Sequence, residues 1–311
     1  MQVYGRYGLL IVVTLLVVLF GVLSPVFLSG TNLLNILDQV TITGVISFGM
    51  TLVILIGGID LSVGSIVAFT GIILAQSLLG GLPLFVSVLL CFVAGAGLGA
   101  INGFFIAYSR VPAFITTLGL MSIARGAALY LTDGRALSGL PDGLSVMVNH
   151  LTLGVPVSVC LLLFLYLLFW LFLKYTYWGK FLYAIGGSER AAWLSGIKVR
   201  PYKLLVYSIS GLVSAVSAIL LVGKLNSAQP QAGNLYELNT IAAVVIGGAS
   251  LAGGKGEIRN TFLGVLILGI LQNGLSLLNV SSYYQQILVG MIVIFAVLAD
   301  SKSLNKRKYE K

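Results

Sequence analysis

Residues 180–203 read KFLYAIGGSERAAWLSGIKVRPYK, the longest well-charged island in an otherwise apolar chain. Gly186 and Gly187 give the backbone a flexible hinge there. Ser188 suits an N-cap, and Glu189 falls in the first turn, where the helix dipole favours an anion. Gly196 suits a C′ stop, and Pro201 opposes continuation. The signals predict a helix of about two turns, roughly 10 Å long, too short to be stable alone in water. Yet Ala191, Ala192, Trp193 and Leu194 follow one another within it. A solvated connector between membrane helices is the plain reading. The apolar content favours an element that docks on a partner.

Outward from this island, composition sets the class. Of 311 residues, 58% are hydrophobic and 9% charged, where a soluble domain carries roughly a quarter charged residues. Mean hydropathy is +1.05. The chain reads as an all-α polytopic membrane protein. Its net charge of +9 is spread through the gaps between apolar runs, which marks membrane orientation and not a nucleic-acid surface. Cys91 and Cys160 lie inside apolar runs and read as small hydrophobes. His150 is the one histidine, with no cluster of metal-ligating residues beside it. No metal site, cofactor or nucleic-acid partner is indicated.

About ten apolar runs read as transmembrane helices, a bilayer core taking about 20 helical residues. They are 9–28, 40–58, a third ending at Leu79, 84–108, 113–131, 155–173, 204–223, 238–251, 260–278 and 284–298. The first lacks a small-x-small cleavage site and exceeds a signal-peptide core, so it reads as a retained span. The fourth contains AGAGLGAING (94–103), and small residues of this kind let helices approach closely. Residues 29–39 read as a polar loop.

With the N-terminus inside and ten alternating spans, fifteen of the eighteen Lys and Arg residues fall on the inside. They are Arg6, Arg110, the six between Lys174 and Lys203, Lys255, Arg259 and the five of the tail. Arg125, Arg135 and Lys224 are the exceptions. Such a bias predicts an N-in, C-in topology with the charged island in the cytoplasm. Residues 1–311 then form one transmembrane domain with a cytoplasmic loop at 176–203.

No enzyme signal emerges. Gly253-Gly254-Lys255-Gly256 fails the phosphate-loop pattern, because Ala249 stands where the first glycine belongs and Gly256 follows the lysine. Intramembrane charge is scarce and therefore informative. Within GGIDLSVGS (57–65), Asp60 and Ser62 can both cap a new helix. Asp60 reads first as a cap at the membrane edge and second as part of a broken helix lining a path. Arg125 either snorkels to an interface or pairs inside the bundle. Polar residues along the spans, Ser62 and Asn273 among them, allow a neutral polar passage. IGGIDLSVG (56–64) and IGGASLAGG (246–254) resemble each other, through an internal repeat or through shared turn chemistry.

The stretches GGIDLSVGS (57–65), PAFITTLGLMSIARG (112–126), YAIGGSERAAWLSGIKV (183–199), SAQPQAGNLYELNTIAAVVIGGASLAGGKG (227–256) and NGLSLLNVSSYYQQILVG (273–290) together resemble the permeases of ribose/xylose/galactoside-type ABC importers. Branched-chain amino-acid ABC permeases are more distantly similar. The resemblance covers essentially the whole chain. It implies a multi-pass protein of the bacterial plasma membrane with no ATPase activity of its own. Implied partners are a cytosolic ATPase subunit, an external solute-binding protein that delivers a sugar, and a second permease subunit. It also implies a coupling helix against the ATPase, carried onto Gly187, Ser188, Glu189, Ala191, Ala192, Leu194 and Gly196. Asp60, Ser62, Arg125 and Asn273 stand as path or gate residues. The alternatives are an ion-coupled secondary transporter, which would need a relay of acidic residues, and a branched-chain amino-acid ABC permease.

Overall fold

The computed structural model describes residues 2–152 and 154–309, with side chains for 7–152 and 154–298. The side chains of Arg6 and of the basic tail from Lys302 onward, on which part of the charge count rests, lie outside the described residues. The chain begins with α1 (Gln2–Leu23), α2 (Gly30–Gln39), α3 (Thr41–Leu55), α4 (Val63–Leu79), α5 (Leu84–Ala107) and α6 (Ala113–Thr132). A cap follows, with β1 (Leu137–Ser138), α7 (Asp142–Asn149), β2 (Leu151–Thr152) and β3 (Val155–Pro156). Then come α8 (Val157–Tyr175), α9 (Tyr177–Gly187), α10 (Glu189–Leu194), α11 (Val199–Leu225) and β4 (Ser227–Ala228). The last helices are α12 (Tyr236–Ile246), α13 (Ile258–Leu277) and α14 (Ser282–Tyr309). The two-residue strands pair antiparallel, β1 with β4 and β2 with β3.

The fold is nearly all-α. Helices α5, α6, α8, α11 and α13 are long and apolar enough to cross a bilayer, and the bent pair α2–α3 makes a sixth span if counted as one. Tyr7–Leu23, Val63–Leu79, Tyr236–Ile246 and Ser282–Leu298 are apolar but shorter.

Helix α11 is the axis. Some 67% of its apolar stretch is buried, against 22% for α5 and for α6. Glycine explains how α5 reaches it. A methyl group on Gly95 would stand 2.6 Å from the Gly211 carbonyl oxygen, and one on Gly99 would collide with the Tyr207 carbonyl. The two backbones touch along the face 95–99–103, while Phe85 and Val93 on other faces are exposed. The small residues of 94–103 thus turn one face inward, and the rest of α5 points out.

Three elements differ from the sequence expectation. Residues 29–39 form α2, whose N-cap Ser29 accepts from the Asn32 amide. Its 44° bend against α3 comes from side chains inserted at the joint. Thr41 Oγ1 donates to the Asp38 carbonyl (2.6 Å), and Lys224 Nζ donates to the same carbonyl (2.7 Å) and to Thr41 Oγ1 (2.9 Å). Such insertion is a recognised cause of kinks. Residues 177–187, expected as loop, form α9. Helix α11 starts at Val199 and not at Leu204, because Pro201 sits in its first turn, where a missing N–H costs nothing.

The α5–α11 contact yields a test. Overpacking costs roughly 1–3 kcal/mol, so Gly99→Ala should lower the thermal midpoint of the detergent-purified protein. Gly97→Ala, where a methyl meets nothing within 4 Å, should leave it unchanged. Equal midpoints for the two variants would refute the close approach.

Candidate functional site

The charged island folds as its signals indicate. Ser188 Oγ accepts from the Ala191 amide at 3.2 Å. At the other end Gly196, at φ +86°, donates to the Trp193 carbonyl (2.9 Å), and Ile197 donates to the Ala192 carbonyl (3.1 Å), which is the full Schellman pattern. Glu189 pairs with Lys203 at 2.6 Å and so ties the start of α10 to α11.

One expected contact residue is placed differently. Ala192 is 4% exposed and faces the protein, whereas Trp193 and Leu194 are 66% and 69% exposed. A six-residue helix has one inward face, and the fourth residue of α10 occupies it. The apolar surface offered outward is Trp193 and Leu194, with Ala191 exposed beside them.

Beneath α10 the glycines meet. A side chain on Gly186 would collide with the Leu55 carbonyl at the end of α3, so this residue is a close backbone contact and not a flexible hinge. A methyl on Gly253 would lie 2.9 Å from the Gly57 amide and from the Gly186 carbonyl, and one on Gly254 would lie 2.9 Å from the Gly187 amide. The Gly254 amide donates to the Leu55 carbonyl at 2.9 Å. Tyr183 Oη donates to the Gly256 carbonyl at 2.7 Å. Burial, with the Glu257 carboxylate adding to it, pushes that phenol up to about 12, so it keeps the proton it donates at physiological pH. The end of α9, the break after α3 and the turn after α12 therefore form one junction.

The two similar Gly-rich stretches meet here, and each stops its helix by a Schellman turn. Gly57 and Gly58 donate to Ile54 and Val53, and Gly248 and Ala249 donate to Val245 and Val244. The turns are displaced by one residue between the two stretches. The two stretches share this turn chemistry.

From the junction the chain runs without regular secondary structure through 58–62, and Asp60 within it is fully buried. Its Oδ1 accepts from the Ser62 amide (3.0 Å) and Ser62 Oγ (2.6 Å), and its Oδ2 accepts from Ser210 Oγ on α11 (2.8 Å). Asn102 Nδ2 on α5 donates to Ser62 Oγ (2.9 Å). Thr117 Oγ1 on α6 donates to the Ile59 carbonyl (3.2 Å). Asp60 thus stands fully buried at the centre of a break clasped by three helices. Ser62, at the N-cap position of α4, makes no side-chain cap bond, because its hydroxyl is spent on Asp60.

Of the four expected path residues, Asp60 and Ser62 come together and the other two stand apart. Arg125 donates through Nη1 to the Pro230 and Ala232 carbonyls, both at 2.7 Å. Asn273 makes a reciprocal amide pair with Asn32 of α2, at 3.0 and 3.1 Å. Asn102, Ser210 and Tyr207 belong with Asp60 and escaped the sequence reading. A signal existed, since Ser210, Ser214 and Ser217 recur at helical spacing and all face inward.

A cavity of 1110 Å³ lies between α10, the α5–α6 turn and the start of α11. Its walls run from the exposed Arg190 and Trp193 to the buried Tyr207 and Gly58. Arg110, Lys198 and Arg200 also line it.

The Asp60 cluster yields a second test. Asparagine can still accept from Ser62 and can donate to Ser210 Oγ, so Asp60→Asn should reach parental membrane abundance and keep most transport. Leucine would orphan the Ser62 amide and two hydroxyls, at roughly 1–3 kcal/mol for each buried group left unpaired. Asp60→Leu should therefore lose most folded protein by size-exclusion analysis in detergent. A well-folded leucine variant would contradict the clasp.

Known proteins agree in kind. Residues 32–297 match the family model described as branched-chain amino acid transport system / permease component. The chain is 44% identical to the ribose import permease protein of Bacillus subtilis, over 93% of this chain and 90% of that one. It is 36% identical to the D-allose transport system permease protein of Escherichia coli, over 96% and 92% of the two chains. Identity to the L-arabinose transport system permease protein of the same organism is 35%, over 96% and 91%. No solved structure matches at comparable significance. With relatives this similar along nearly its whole length, the chain belongs to the family of sugar ABC importer permeases.

Proposed function

We propose that this chain imports a sugar across the bacterial plasma membrane, as one permease subunit beside a second copy or paralogue. ATP hydrolysis is on a separate cytosolic subunit, and an external solute-binding protein delivers the sugar. Residues 1–311 form a single domain of ten spans with both ends inside, and 176–203 is the coupling loop. The names of the relatives and the run of polar groups around Asp60 support the sugar reading. On this reading the bent α2–α3 pair and the shorter apolar helices supply the spans beyond the five helices that are long and apolar enough by themselves.

The observation that carries the coupling role is the preformed helix α10. It offers Trp193 and Leu194 outward and follows directly on the end of α9, whose glycines make close contacts with the breaks after α3 and α12. A nucleotide-driven change can bias the permease only through an element that the ATPase contacts differently in its two states. A short rigid helix tied to both interrupted spans is such an element. Asp60 and Ser62 lie beyond the junction, so a displacement of α9 and α10 bears on the segment that holds them.

Two experiments test the reading. In a Cys160→Ser background, a cysteine at Ser138 should react with an impermeant maleimide in intact cells, and one at Ser195 only after permeabilisation. Labelling of position 195 from outside would overturn both topology and coupling. Next, Trp193→Glu with Leu194→Glu should leave membrane abundance unchanged. ATPase recovered in a mild-detergent pull-down, and sugar uptake, should each fall at least about tenfold, since a charge buried unpaired in an apolar contact is costly. Undiminished uptake would reduce α10 to a connector. Ala192→Asp is the less informative change, because that residue faces the protein's own core.

A further inference from the structure

The 1110 Å³ cavity has walls of two kinds. Arg110, Arg190, Lys198, Arg200 and Lys203 line it, against one carboxylate, Glu189. Lys203 engages that carboxylate. The other four cations are exposed and have no carboxylate within ion-pair distance among the described residues. Ile56, Ile106, Val111, Pro112 and Val199 supply apolar wall. The lining continues along α11 from Val199 to Tyr207, about 12 Å at 1.5 Å per residue.

Helix ends fix the level of the cavity in the bundle. Ala107 closes α5, Ala113 opens α6 and Val199 opens α11, and all three line it. These helices are long and apolar enough to cross a bilayer, so the cavity lies where membrane meets water. Tyr108, also in its wall, stacks on Phe104 at 5.5 Å. Phe104, Phe105 and Phe114 are each about half exposed. Exposed aromatic rings at the ends of spans mark the interfacial belt. Arg110 itself holds φ +57°. The usual residue in this left-handed conformation after a helix is glycine, and a side chain there is uncommon. The chain keeps a guanidinium at that position, in the cavity wall. Arg200 lies over the Tyr108 ring at 5.9 Å, close to the same turn.

A ligand matched to these walls is anionic at one end and apolar at the other. A neutral sugar has no use for four cations. An acidic loop of a soluble protein would answer the cations but not the apolar wall. An anionic phospholipid answers both. Its phosphate accepts from Arg and Lys, and its glycerol and upper acyl chains cover apolar surface. Basic pockets between membrane helices are a known setting for such headgroups. We propose that this cavity binds an anionic phospholipid, with Arg110, Arg190, Lys198 and Arg200 around the headgroup and the acyl chains leaving past the exposed end of α5. The site is on the face that carries α10, the cytoplasmic leaflet on the topology proposed above. A lipid held there bridges α10 and the start of α11 to the α5–α6 turn, so membrane composition bears on the helix that offers Trp193 and Leu194. The proposal is independent of which solute is carried.

The test reads the thermal midpoint of the detergent-purified full chain against added lipid. The probes are palmitoyl-oleoyl phosphatidylglycerol, phosphatidylcholine with the same chains, and inorganic phosphate. Phosphatidylglycerol should raise the midpoint saturably, and the other two should not. A cation beside an anionic membrane surface is worth about fivefold in binding. The triple variant Arg110→Gly, Lys198→Gln and Arg200→Gln should therefore need at least about thirtyfold more phosphatidylglycerol for half the shift. Glycine relieves the left-handed backbone and the other two residues are exposed, so its midpoint without lipid should be parental. Should it unfold, Lys198→Gln alone reads the site, at about fivefold. Lys174→Gln with Lys180→Gln, exposed cations outside the cavity, should respond as the parent does. Equal phosphatidylglycerol requirements in cavity and control variants would overturn the site, as would a parent that shifts as much with phosphatidylcholine. An equal shift with phosphate would overturn it in favour of a free anion. Loss of the ATPase subunit from a pull-down, or of paired permease by light scattering, in a triple variant with parental lipid response would assign the cations to a protein partner instead.

Discussion

A peptide group left bare in hydrocarbon costs several kcal/mol, and this chain interrupts its helices inside the bundle. Everything else depends on how those interruptions are satisfied. After α3 and after α12 the last turns close on themselves through Schellman bonds. The Leu55 carbonyl receives the Gly254 amide, so one interruption supplies what the other lacks. Gly186 fits against the same carbonyl because it has no side chain. That backbone contact, with the Tyr183 bond to the Gly256 carbonyl and the Glu189–Lys203 pair, helps to place α9 and α10. Asp60 does the same service one step further along, accepting the Ser62 amide and binding the broken segment to α11.

Two of the three basic residues that fall outside the inward bias owe their places to similar demands. Lys224 pairs with Asp38 at 2.7 Å and satisfies the carbonyl at the α2–α3 bend. Arg125 satisfies two carbonyls of the segment between β4 and α12. Each cation serves where irregular backbone would otherwise lack donors.

Much of this was legible in residues alone. The island at 180–203 announced its helix by Ser188 and Gly196, both acting locally and so readable locally. The apolar runs marked each long helix, and motif likeness identified the family. What escaped had a common cause. Helix α9 was hidden because Gly186 and Gly187 read as a hinge, when the missing side chain of Gly186 serves contacts with Leu55 and Gly254, both distant in sequence. Ala192 seemed a docking residue because a helix so short shows no periodicity from which to assign its inner face. The partners of Asp60 were hidden because nothing in its neighbourhood announces Ser210, and Asn102 and Tyr207 join it only through tertiary packing. Helix α2 was read as loop because its polar residues, Asn32 and Asp38, find their partners on α13 and α8.

The terminal bonds of α10 have a consequence for how a partner engages it. A helix this brief would ordinarily order only when gripped, and the partner's grip would then be weakened by the entropy of fixing six residues, of the order of 1–2 kcal/mol for each backbone unit. Here Ser188, the turn at Gly196 and the inward methyl of Ala192 settle that ordering within the isolated permease. On the coupling role proposed above, association with a partner would be close to rigid-body docking, in which the dissociation rate reflects the grip on one indole and one leucine. On that same proposal, an ATPase subunit could hold this surface loosely and still follow its displacement.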